Sequence, residues 1–432
     1  MASAAASTER PKLAGEATRA VVGLTAGPAR QTASATGRNA VGGRVLLVVS
    51  ASCATAAAAV AEGRSPRKDF LELAATLRAD VLDLDRIQAS RVWRRVAQVL
   101  GVPACQAVAA FLARRQYDAI FCDGEHNGLV LSALLRFSRS RPRHGFIGHF
   151  LTKRRKVLLW RCCGARRGAD FIVLHAQLQQ SLVCQQYRLP GSLLKLLPYQ
   201  VDEGYWQPSG SADARPTICA AGLEHRDYAT LVEAVRDTGV RTVIAAGRRW
   251  SKHGLQTGSA PLPENLEITA LDYPELRRLY AAASIVVVPL HPVQNQAGVT
   301  AVLEAMAMGK PVIVTATPGQ TDVVRGRLMT ATGAGANPMG GPAAFGVRGS
   351  LAEVETGLYV PPHDPLALRR AIQHLLDHPE EAAAMGSNAR QVVERCMTLD
   401  RFVAALAGLI VSPLHAAGAA PAPVATLVEP LA

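Results

Sequence analysis

Short apolar segments alternate with longer segments of helical spacing along most of this chain, and this alternation most constrains its fold. The first apolar segment, Val45–Val49, is apolar at every position, as is typical of parallel strands buried on both faces. Further strand-like segments lie at 79–85, 117–124, 143–150, 169–176 and 193–199, and helical segments lie at 90–100, 104–115 and 128–139. This order predicts right-handed βαβ units, and therefore a doubly wound α/β domain over 44–200.

A second alternating series follows a break in this pattern. Residues 201–216 are rich in Pro, Gly, Ser and charge, a composition typical of a linker. Beyond it, strand-like segments lie at 216–222, 241–247, 264–270, 284–290 and 310–316, and helical segments at 228–238, 273–283, 299–308, 366–376 and 379–410. We predict a second Rossmann-like domain over 217–378, with a loop insertion at 326–355 and C-terminal helices over 379–411 near the domain junction.

Composition excludes several other classes of protein. Hydrophobic residues make up 49% of the chain and charged residues 19%, as in a globular protein, and no apolar run reaches the roughly 18 residues of a membrane span. The eight cysteines form no C-x-x-C pair, which argues against zinc-ribbon and thioredoxin-type sites and favours a reducing cytoplasm. Residues 1–43 lack the apolar core of a secretory signal. We expect 1–43 and 412–432 to be disordered tails, with a transit peptide as the alternative for the first.

Two facing α/β domains predict where a ligand binds. Loops and helix N-termini converge at the carboxyl ends of both sheets, so a cleft between the domains is the expected site. Helix N-termini offer unpaired N–H groups and the positive end of the helix dipole. The pattern therefore favours an enzyme that uses a phosphate-bearing small molecule.

The most informative stretch is 286–324, where a buried strand runs into a polar loop and then a helix. The helix opens with Gly298, Val299 and Thr300. Because these residues are small, their backbone N–H groups can approach an anion closely. Glu304 lies one turn further on, where its carboxylate can accept hydrogen bonds from the vicinal hydroxyls of a ribose. The alternative is that Glu304 only complements the helix dipole.

A resemblance follows from this stretch and the segments after it. VLEAMAMGKPVIVTATPGQTDVV (302–324), TGLYVPPHDPLALRRAI (356–372) and MGSNARQVVE (385–394) closely resemble the second domain of family-4 retaining glycosyltransferases, which have the GT-B fold. ADFIVLHAQLQQSL (169–182) and LLPYQVDEGYWQP (196–208) resemble that family's passage from the first domain into the linker. The resemblance implies two Rossmann-like domains facing a central cleft.

The resemblance also implies roles for residues of the second domain. In that family two glutamates eight positions apart bracket the donor. Glu304 matches the one that binds the nucleotide ribose, whereas Gln296 stands in place of the one near the transferred sugar. An amide still hydrogen-bonds sugar hydroxyls, but it cannot act as a base or carry negative charge.

The family holds the donor diphosphate with an Arg and a Lys after the first strand of this domain. Here Arg226 best matches the Lys, and a guanidinium binds phosphate oxygens in a bidentate manner. No residue clearly matches the Arg, so Arg248 or Arg249 is expected to supply the second charge. Gly222 and Tyr273, which follow a strand and open a helix, complete the expected nucleotide-sugar site. The alternative is that Arg226 pairs with Asp227 or Glu224.

In the first domain, His149 resembles the family histidine that contacts the donor sugar, with His144 and His126 as the weaker alternatives. Asp83 and Asp85 form a D-x-D pattern, which in another glycosyltransferase fold binds a metal ion. No further ligand accompanies them in the sequence, so we expect a strand terminus there, and neither a metal requirement nor a cofactor.

The chain carries a formal net charge of +13, and most of the excess lies in one window. Residues 136–167 contain eleven Lys or Arg and no acidic residue. Within it, KRRKVLLWR (153–161) mixes cations with leucines and Trp160, the composition of a helix on an anionic membrane surface. A solvated basic face, or a surface that steers an anionic donor, is the alternative. Because aromatic residues are few and no known module is present, we expect no nucleic-acid partner.

Together these features predict a metal-independent, retaining glycosyltransferase that moves a hexose from a nucleotide diphosphate sugar to a hydroxyl acceptor. The acceptor is a lipid, a polysaccharide or a small metabolite. We expect it in the cytoplasm, with peripheral contact to a membrane. Two alternatives remain open at this stage. Gln296 is compatible with a pseudoenzyme that binds nucleotide sugar without transferring it, and the fold also hosts sugar epimerases and phosphorylases.

Overall fold

Two parallel sheets organise the chain in a computed structural model that describes residues 43–151, 156, 160, 165–209, 215–246, 261–335 and 353–412. The first sheet has six parallel strands in the order β2-β1-β3-β4-β5-β6. Its strands are β1 (Val45–Val48), β2 (Asp80–Leu82), β3 (Ala119–Cys122), β4 (Arg143–Ile147), β5 (Phe171–Leu174) and β6 (Leu194–Leu196). Its helices are α1 (Cys53–Ala61), α2 (Asp69–Leu77), α3 (Leu84–Ala89), α4 (Arg91–Leu100), α5 (Val102–Ala113), α6 (Glu125–Leu135) and α7 (Gln177–Tyr187).

The second sheet has eight strands in the order β13-β12-β14-β11-β10-β7-β8-β9, and only the β12–β13 pair is antiparallel. Its strands are β7 (Thr217–Ala221), β8 (Arg241–Ala245), β9 (Leu266–Thr269), β10 (Ile285–Val288), β11 (Val312–Thr315), β12 (Leu328–Met329), β13 (Ala334–Gly335) and β14 (Gly357–Val360). The helices that follow are α8 (Tyr228–Val235), α9 (Tyr273–Ala282), α10 (Val299–Ala307), α11 (Pro365–Asp377), α12 (Pro379–Cys396) and α13 (Leu399–Val411). The predicted pair of doubly wound domains is confirmed.

The central strands are apolar because both faces of each sheet are covered by helices. All four residues of β1, β3, β10 and β11 are buried. Such continuous burial is the physical reason that these segments lack the alternation of half-exposed strands. Parallel strands also place all their carboxyl ends at one edge of each sheet, and the loops of that edge carry the residues described below.

Some predicted helix boundaries are wrong. The helical segment predicted over 379–410 consists of two helices, because the backbone leaves the helix at Met397 and Thr398 caps α13 by accepting a hydrogen bond from the Arg401 N–H. The predicted helix at 128–139 instead spans Glu125–Leu135. The capping residues decide where these helices begin and end, and the spacing of apolar residues alone does not indicate those positions.

The last helix returns to the first domain. Phe402, Leu406 and Ile410 of α13 belong to the same buried cluster as Val45 and Leu47 of β1. Near the linker, Val201 pairs with Thr398, and Arg67 of the first domain contacts both Asp202 and Asp400. The C-terminal segment therefore fixes the two domains to each other near the linker.

The basic window 136–167 differs from its predicted character where the structure describes it. Trp160 is only 3% exposed and packs edge-on against Tyr187, 5.9 Å between ring centroids, in the core of the first domain. The prediction that Trp160 faces a membrane surface is therefore wrong. Arg141 pairs with Asp170 at 2.6 Å, and Lys156 pairs with the buried Glu125. The rest of the predicted interfacial segment, 153–155, 157–159 and 161, lies outside the described residues.

No helix in the described part of the chain is long and apolar enough to cross a membrane.

Helix α12 approaches the end of α10 so closely that Gly386 admits no side chain. A Cβ added to Gly386 lies 2.1 Å from the carbonyl oxygen of Gly309. We predict that Gly386→Ala lowers the free energy of unfolding by about 1–3 kcal/mol, because backbone on both sides must shift. Gly408→Ala is the matched control, since nothing lies within 4 Å of its added Cβ and alanine is the better helix former. Thermal unfolding of both variants measures the effect, and equal melting temperatures would contradict it.

Candidate functional site

Arg226 follows β7 and lies at the carboxyl edge of the second sheet. Its Nε donates to the Ala221 carbonyl oxygen (2.9 Å), and its Nη1 donates to the Glu224 carbonyl oxygen (2.9 Å). Among the described residues no carboxylate pairs with it. The carboxylate of Asp227 instead accepts hydrogen bonds from Thr230, so the alternative ion pair with Asp227 or Glu224 does not form. Burial lowers the pKa of the guanidinium, which remains far above neutral pH.

Two glycines give the Arg226 side chain its place. A Cβ on Gly222 would lie 2.3 Å from Nη2, and a Cβ on Gly298 would lie 3.1 Å from Nη1. Both glycines have positive φ, +99° and +78°, a backbone conformation that residues other than glycine rarely adopt. The guanidinium is thus fixed between the loop after β7 and the start of α10.

Glu304 lies in α10 with its carboxylate buried, 6% exposed. Its Oε2 accepts a hydrogen bond from the Tyr280 hydroxyl at 3.2 Å. Burial raises its pKa to about 8, against the opposing effects of Tyr280, Lys68 and Arg226. Arg226 lies against Gly298, the residue that begins the helix of Glu304, so its charge acts on this carboxylate.

Gln296 lies in the loop between β10 and α10. Its side-chain nitrogen and oxygen are both buried, and neither has a hydrogen-bond partner in the described part of the protein. The neighbouring loop packs against this one, because the Gly319 N–H donates to the Val293 carbonyl oxygen at 3.2 Å and Gln320 bonds the Ala297 carbonyl. A buried amide without partners is costly, so Gln296 is suited to bind a polar ligand.

His149 follows β4 in the first domain. Its main-chain N–H donates to the Glu125 carboxylate (2.9 Å). The centroid of its ring lies 5.6 Å from that of His175. The alternative His144 is fully buried, and its ring nitrogens contact the carbonyl oxygens of Ile120 and Gly128, which is a structural position. The other alternative, His126, is exposed on α6.

Contacts across the cleft bring the two domains together at this edge. The Lys68 ammonium lies over the Tyr273 ring, 4.7 Å from its centroid, and Tyr199 hydrogen-bonds the Thr300 side chain. At the start of α7, the Gln177 N–H donates to Asp322 at 2.7 Å. The predicted residues Tyr273 and Thr300 therefore lie at the domain interface, whereas Val299 is buried at the start of α10.

Sequence reasoning missed a pair of acids in the first domain. Asp69 and Asp123 line a cavity whose other walls are apolar, among them Val49 and Ile147. Burial raises the pKa of both carboxyls, and the charge of His149 opposes the shift in each. Asp123 directly follows β3, and this position at the carboxyl end of a parallel strand could have identified it as a candidate site residue. Asp69 is the first residue of α2, a helix in which no sequence motif indicates a site.

The two remaining predictions concern the second cation of the diphosphate site and the D-x-D pattern. Arg248 and Arg249 lie outside the described residues. Asp83 caps α3 and Asp85 accepts a hydrogen bond from Ser52 at 2.7 Å, so the D-x-D pattern forms the strand terminus that we expected.

Comparisons with known proteins agree with this architecture. Residues 218–378, which form the second domain, match the family model described as glycosyl transferases group 1. No curated protein sequence matches the chain.

Several solved structures share the fold of both domains. Anabaena HepE, in complex with UDP and glucose, is 15% identical with a TM-score of 0.57, covering 86% of this chain and 100% of its own. The sucrose-phosphate synthase of Thermosynechococcus elongatus is 18% identical with a TM-score of 0.60, covering 87% and 100%. A glycosyltransferase of Rickettsia africae is 13% identical with a TM-score of 0.57, covering 86% and 98%. At these identities the likeness establishes the GT-B fold.

The raised pKa of Glu304 predicts how stability depends on pH. Between the ordinary pKa of 4.5 and about 8, the folded protein binds more protons at this site than the unfolded chain, so Glu304 contributes less stability as pH rises through this window. Glu304→Gln retains an acceptor for Tyr280 without the charge. We expect its melting temperature to rise relative to the parent as pH increases from 5 to 8. A constant difference between the two proteins would show that Glu304 does not titrate there.

Proposed function

We propose that the protein transfers a hexosyl group from a nucleotide diphosphate sugar to a hydroxyl acceptor, with retention of anomeric configuration and without a metal ion. The observation that carries the proposal is the Arg226 guanidinium, held by main-chain carbonyls, without a carboxylate partner among the described residues, and close to Glu304. An unpaired, partly buried cation beside a helix N-terminus is suited to a diphosphate. The group 1 family match of the second domain and the UDP bound to the neighbour Anabaena HepE support the same donor class.

The donor would lie along the carboxyl edge of the second sheet. Arg226 and the N–H groups at Gly298–Thr300 would hold the diphosphate, and Glu304 would accept hydrogen bonds from the ribose hydroxyls. Tyr273 and the backbone at Gly222 flank this space. Ribose binding favours the ionised carboxylate, because hydroxyl donors stabilise the charged form.

The sugar would lie between the Gln296 amide and His149. In the reaction the bond between the anomeric carbon and the diphosphate oxygen breaks, and the acceptor oxygen forms its bond on the same face of the sugar. The departing phosphate oxygen takes the acceptor proton, so no protein nucleophile is required. Arg226 stabilises the charge that develops on the leaving diphosphate.

Glycosyl transfer also requires that water be excluded from the cleft, and contacts between the two domains would achieve this. Lys68 on Tyr273 and Gln177 on Asp322 join the two sides of the cleft, which favours transfer over hydrolysis. The hydroxyl acceptor would approach from the first domain, where Asp69 and Asp123 offer carboxylate oxygens to its hydroxyl groups.

We place this activity in the cytoplasm, at or near an anionic membrane surface. Phe137 is 72% exposed beside the exposed Arg139, and such an apolar–basic pair is suited to the boundary of an anionic leaflet.

A pseudoenzyme is the second candidate, and Gln296 is the observation that favours it. An amide cannot place negative charge beside a developing oxocarbenium ion. In that case the protein would bind the nucleotide sugar and transfer nothing. An epimerase or phosphorylase is the third candidate of the same fold, which the group 1 match of the second domain favours less.

Removal of the Arg226 charge tests the donor site. We expect Arg226→Met to weaken binding of a nucleoside diphosphate at least about tenfold, since a charge-assisted hydrogen bond contributes roughly 1.5–3 kcal/mol. A thermal-shift screen of UDP, GDP and ADP selects the nucleotide, and calorimetry measures its affinity.

The control for Arg226→Met is Arg236→Met, which removes a cation of the same domain that pairs with Glu233 on the surface of α8. Equal affinities in the parent and both variants would refute the assignment of Arg226.

Gln296→Glu separates an active enzyme from a pseudoenzyme. If the parent is an enzyme, both proteins release nucleoside diphosphate from the donor sugar, with the variant faster because a carboxylate stabilises developing positive charge. Product formation is followed by chromatography of nucleotide and sugar. A silent parent beside an active variant would support the pseudoenzyme, and two proteins that bind the nucleotide but never turn it over would refute transfer.

A further inference from the structure

Asp227, His291 and His363 come together from three loops at the carboxyl edge of the second sheet. Asp227 lies between β7 and α8, His291 follows β10 and His363 follows β14. Each offers one ligand atom, and the three atoms all lie within 4.8 Å of one another. None of these residues has a role in the proposed transfer reaction.

The surrounding structure fixes the carboxylate of this cluster. Asp227 is 3% exposed. Its Oδ1 accepts a hydrogen bond from the Thr230 N–H (3.2 Å) and its Oδ2 from the Thr230 hydroxyl (2.7 Å). Its own N–H donates to the Pro289 carbonyl oxygen at 3.1 Å, which ties it to the end of β10. Hydrogen bonds of this kind orient a carboxylate that ligates a metal.

The two histidines converge on that carboxylate. His363 has φ +57°, an uncommon conformation for a residue with a side chain, and its Nδ1 lies 2.7 Å from Asp227 Oδ2. His291 is held through its main-chain N–H, which donates to the His225 carbonyl oxygen at 2.9 Å. The rings of His291 and His363 lie 5.4 Å apart.

We propose that Asp227, His291 and His363 bind one zinc ion. Zinc takes histidine nitrogen and carboxylate oxygen at about 2.0–2.2 Å, which places neighbouring ligand atoms roughly 3.3 Å apart in a tetrahedral site. The observed separations, 2.7 Å for one pair and at most 4.8 Å for the others, bracket that value. Small side-chain rotations therefore suffice. Three protein ligands leave the fourth position for water or an anion.

The ligand types select the metal. Two imidazoles favour zinc and similar first-row transition metals over magnesium and calcium, which prefer oxygen ligands. A zinc ion here would join the loops after β7, β10 and β14 and so hold the edge that carries Arg226. The ion takes no part in the proposed transfer.

A second cluster among the described residues is a poorer candidate. His374, His378 and Glu381 also lie close together, but the Arg327 guanidinium pairs with Glu381 and contacts His374 at 2.9 Å. A cation already occupies that position, and its charge opposes a metal ion. The first cluster has no such partner in the described ranges.

Zinc titration of the full chain, without a polyhistidine tag, tests the proposal. The metal-free protein is titrated with Zn²⁺ against a chromophoric chelator, and melting temperature is measured with and without Zn²⁺. We expect one equivalent to bind and to raise the melting temperature by mass action. His291→Ala and His363→Ala should each weaken Zn²⁺ affinity at least about tenfold, because each removes one of three ligands.

His378→Ala is the matched control, a histidine of the same domain in the other cluster, and it should keep the parent affinity. Melting temperatures of the metal-free variants establish that they are folded, and His291→Gln replaces His291→Ala if that variant is not. Co²⁺ substitution adds a visible absorption band that depends on the same ligands. The proposal is overturned if the parent binds no Zn²⁺, or if the double variant His291→Ala, His363→Ala keeps the parent affinity. Nucleotide binding is measured separately, so its failure does not affect this result.

Discussion

A cation held by main-chain carbonyls, without a described carboxylate partner, is the constraint on which the site depends. Arg226 reaches back along its own loop to the carbonyl oxygens of Ala221 and Glu224. These neutral acceptors fix the guanidinium without cancelling its charge, so the electrostatic attraction remains available to an anion. Gly222 and Gly298 supply the space, because a Cβ at Gly222 would overlap the guanidinium and a Cβ at Gly298 would crowd it.

The rest of the second domain orders the surroundings of that charge. Glu304 is buried one turn inside α10, with Tyr280 as its hydrogen-bond donor and a pKa of about 8. Together with the unpartnered Gln296 amide, these groups are energetically costly in isolation. A ligand with phosphate and hydroxyl groups would offset this cost, which is the physical basis of the proposed function. The first domain contributes the opposite wall through Lys68, His149 and two acids.

The residues of the candidate site fall into two groups. Arg226, Glu304, Gly298 and Gln296 follow strands or open a helix, and the topology of a parallel sheet brings such positions to one edge. These could be found from pattern and resemblance. Lys68 and Asp69, at the start of α2, could not, since the segment has no motif and their position depends on how the two domains face each other. Trp160 was misassigned because basic and apolar residues in one segment do not reveal which of them enters the core.

The alternation of apolar and helical segments by itself determined the two parallel sheets, their approximate boundaries and the edge at which we propose that the ligand binds, because burial of both faces leaves a local record in the sequence. Tertiary structure alone decided the partners of each charged group. Whether Arg226 pairs with a carboxylate, whether His144 is exposed, and whether Asp227 meets two histidines from distant loops depend on distances between segments far apart in the chain. No local pattern encodes those distances.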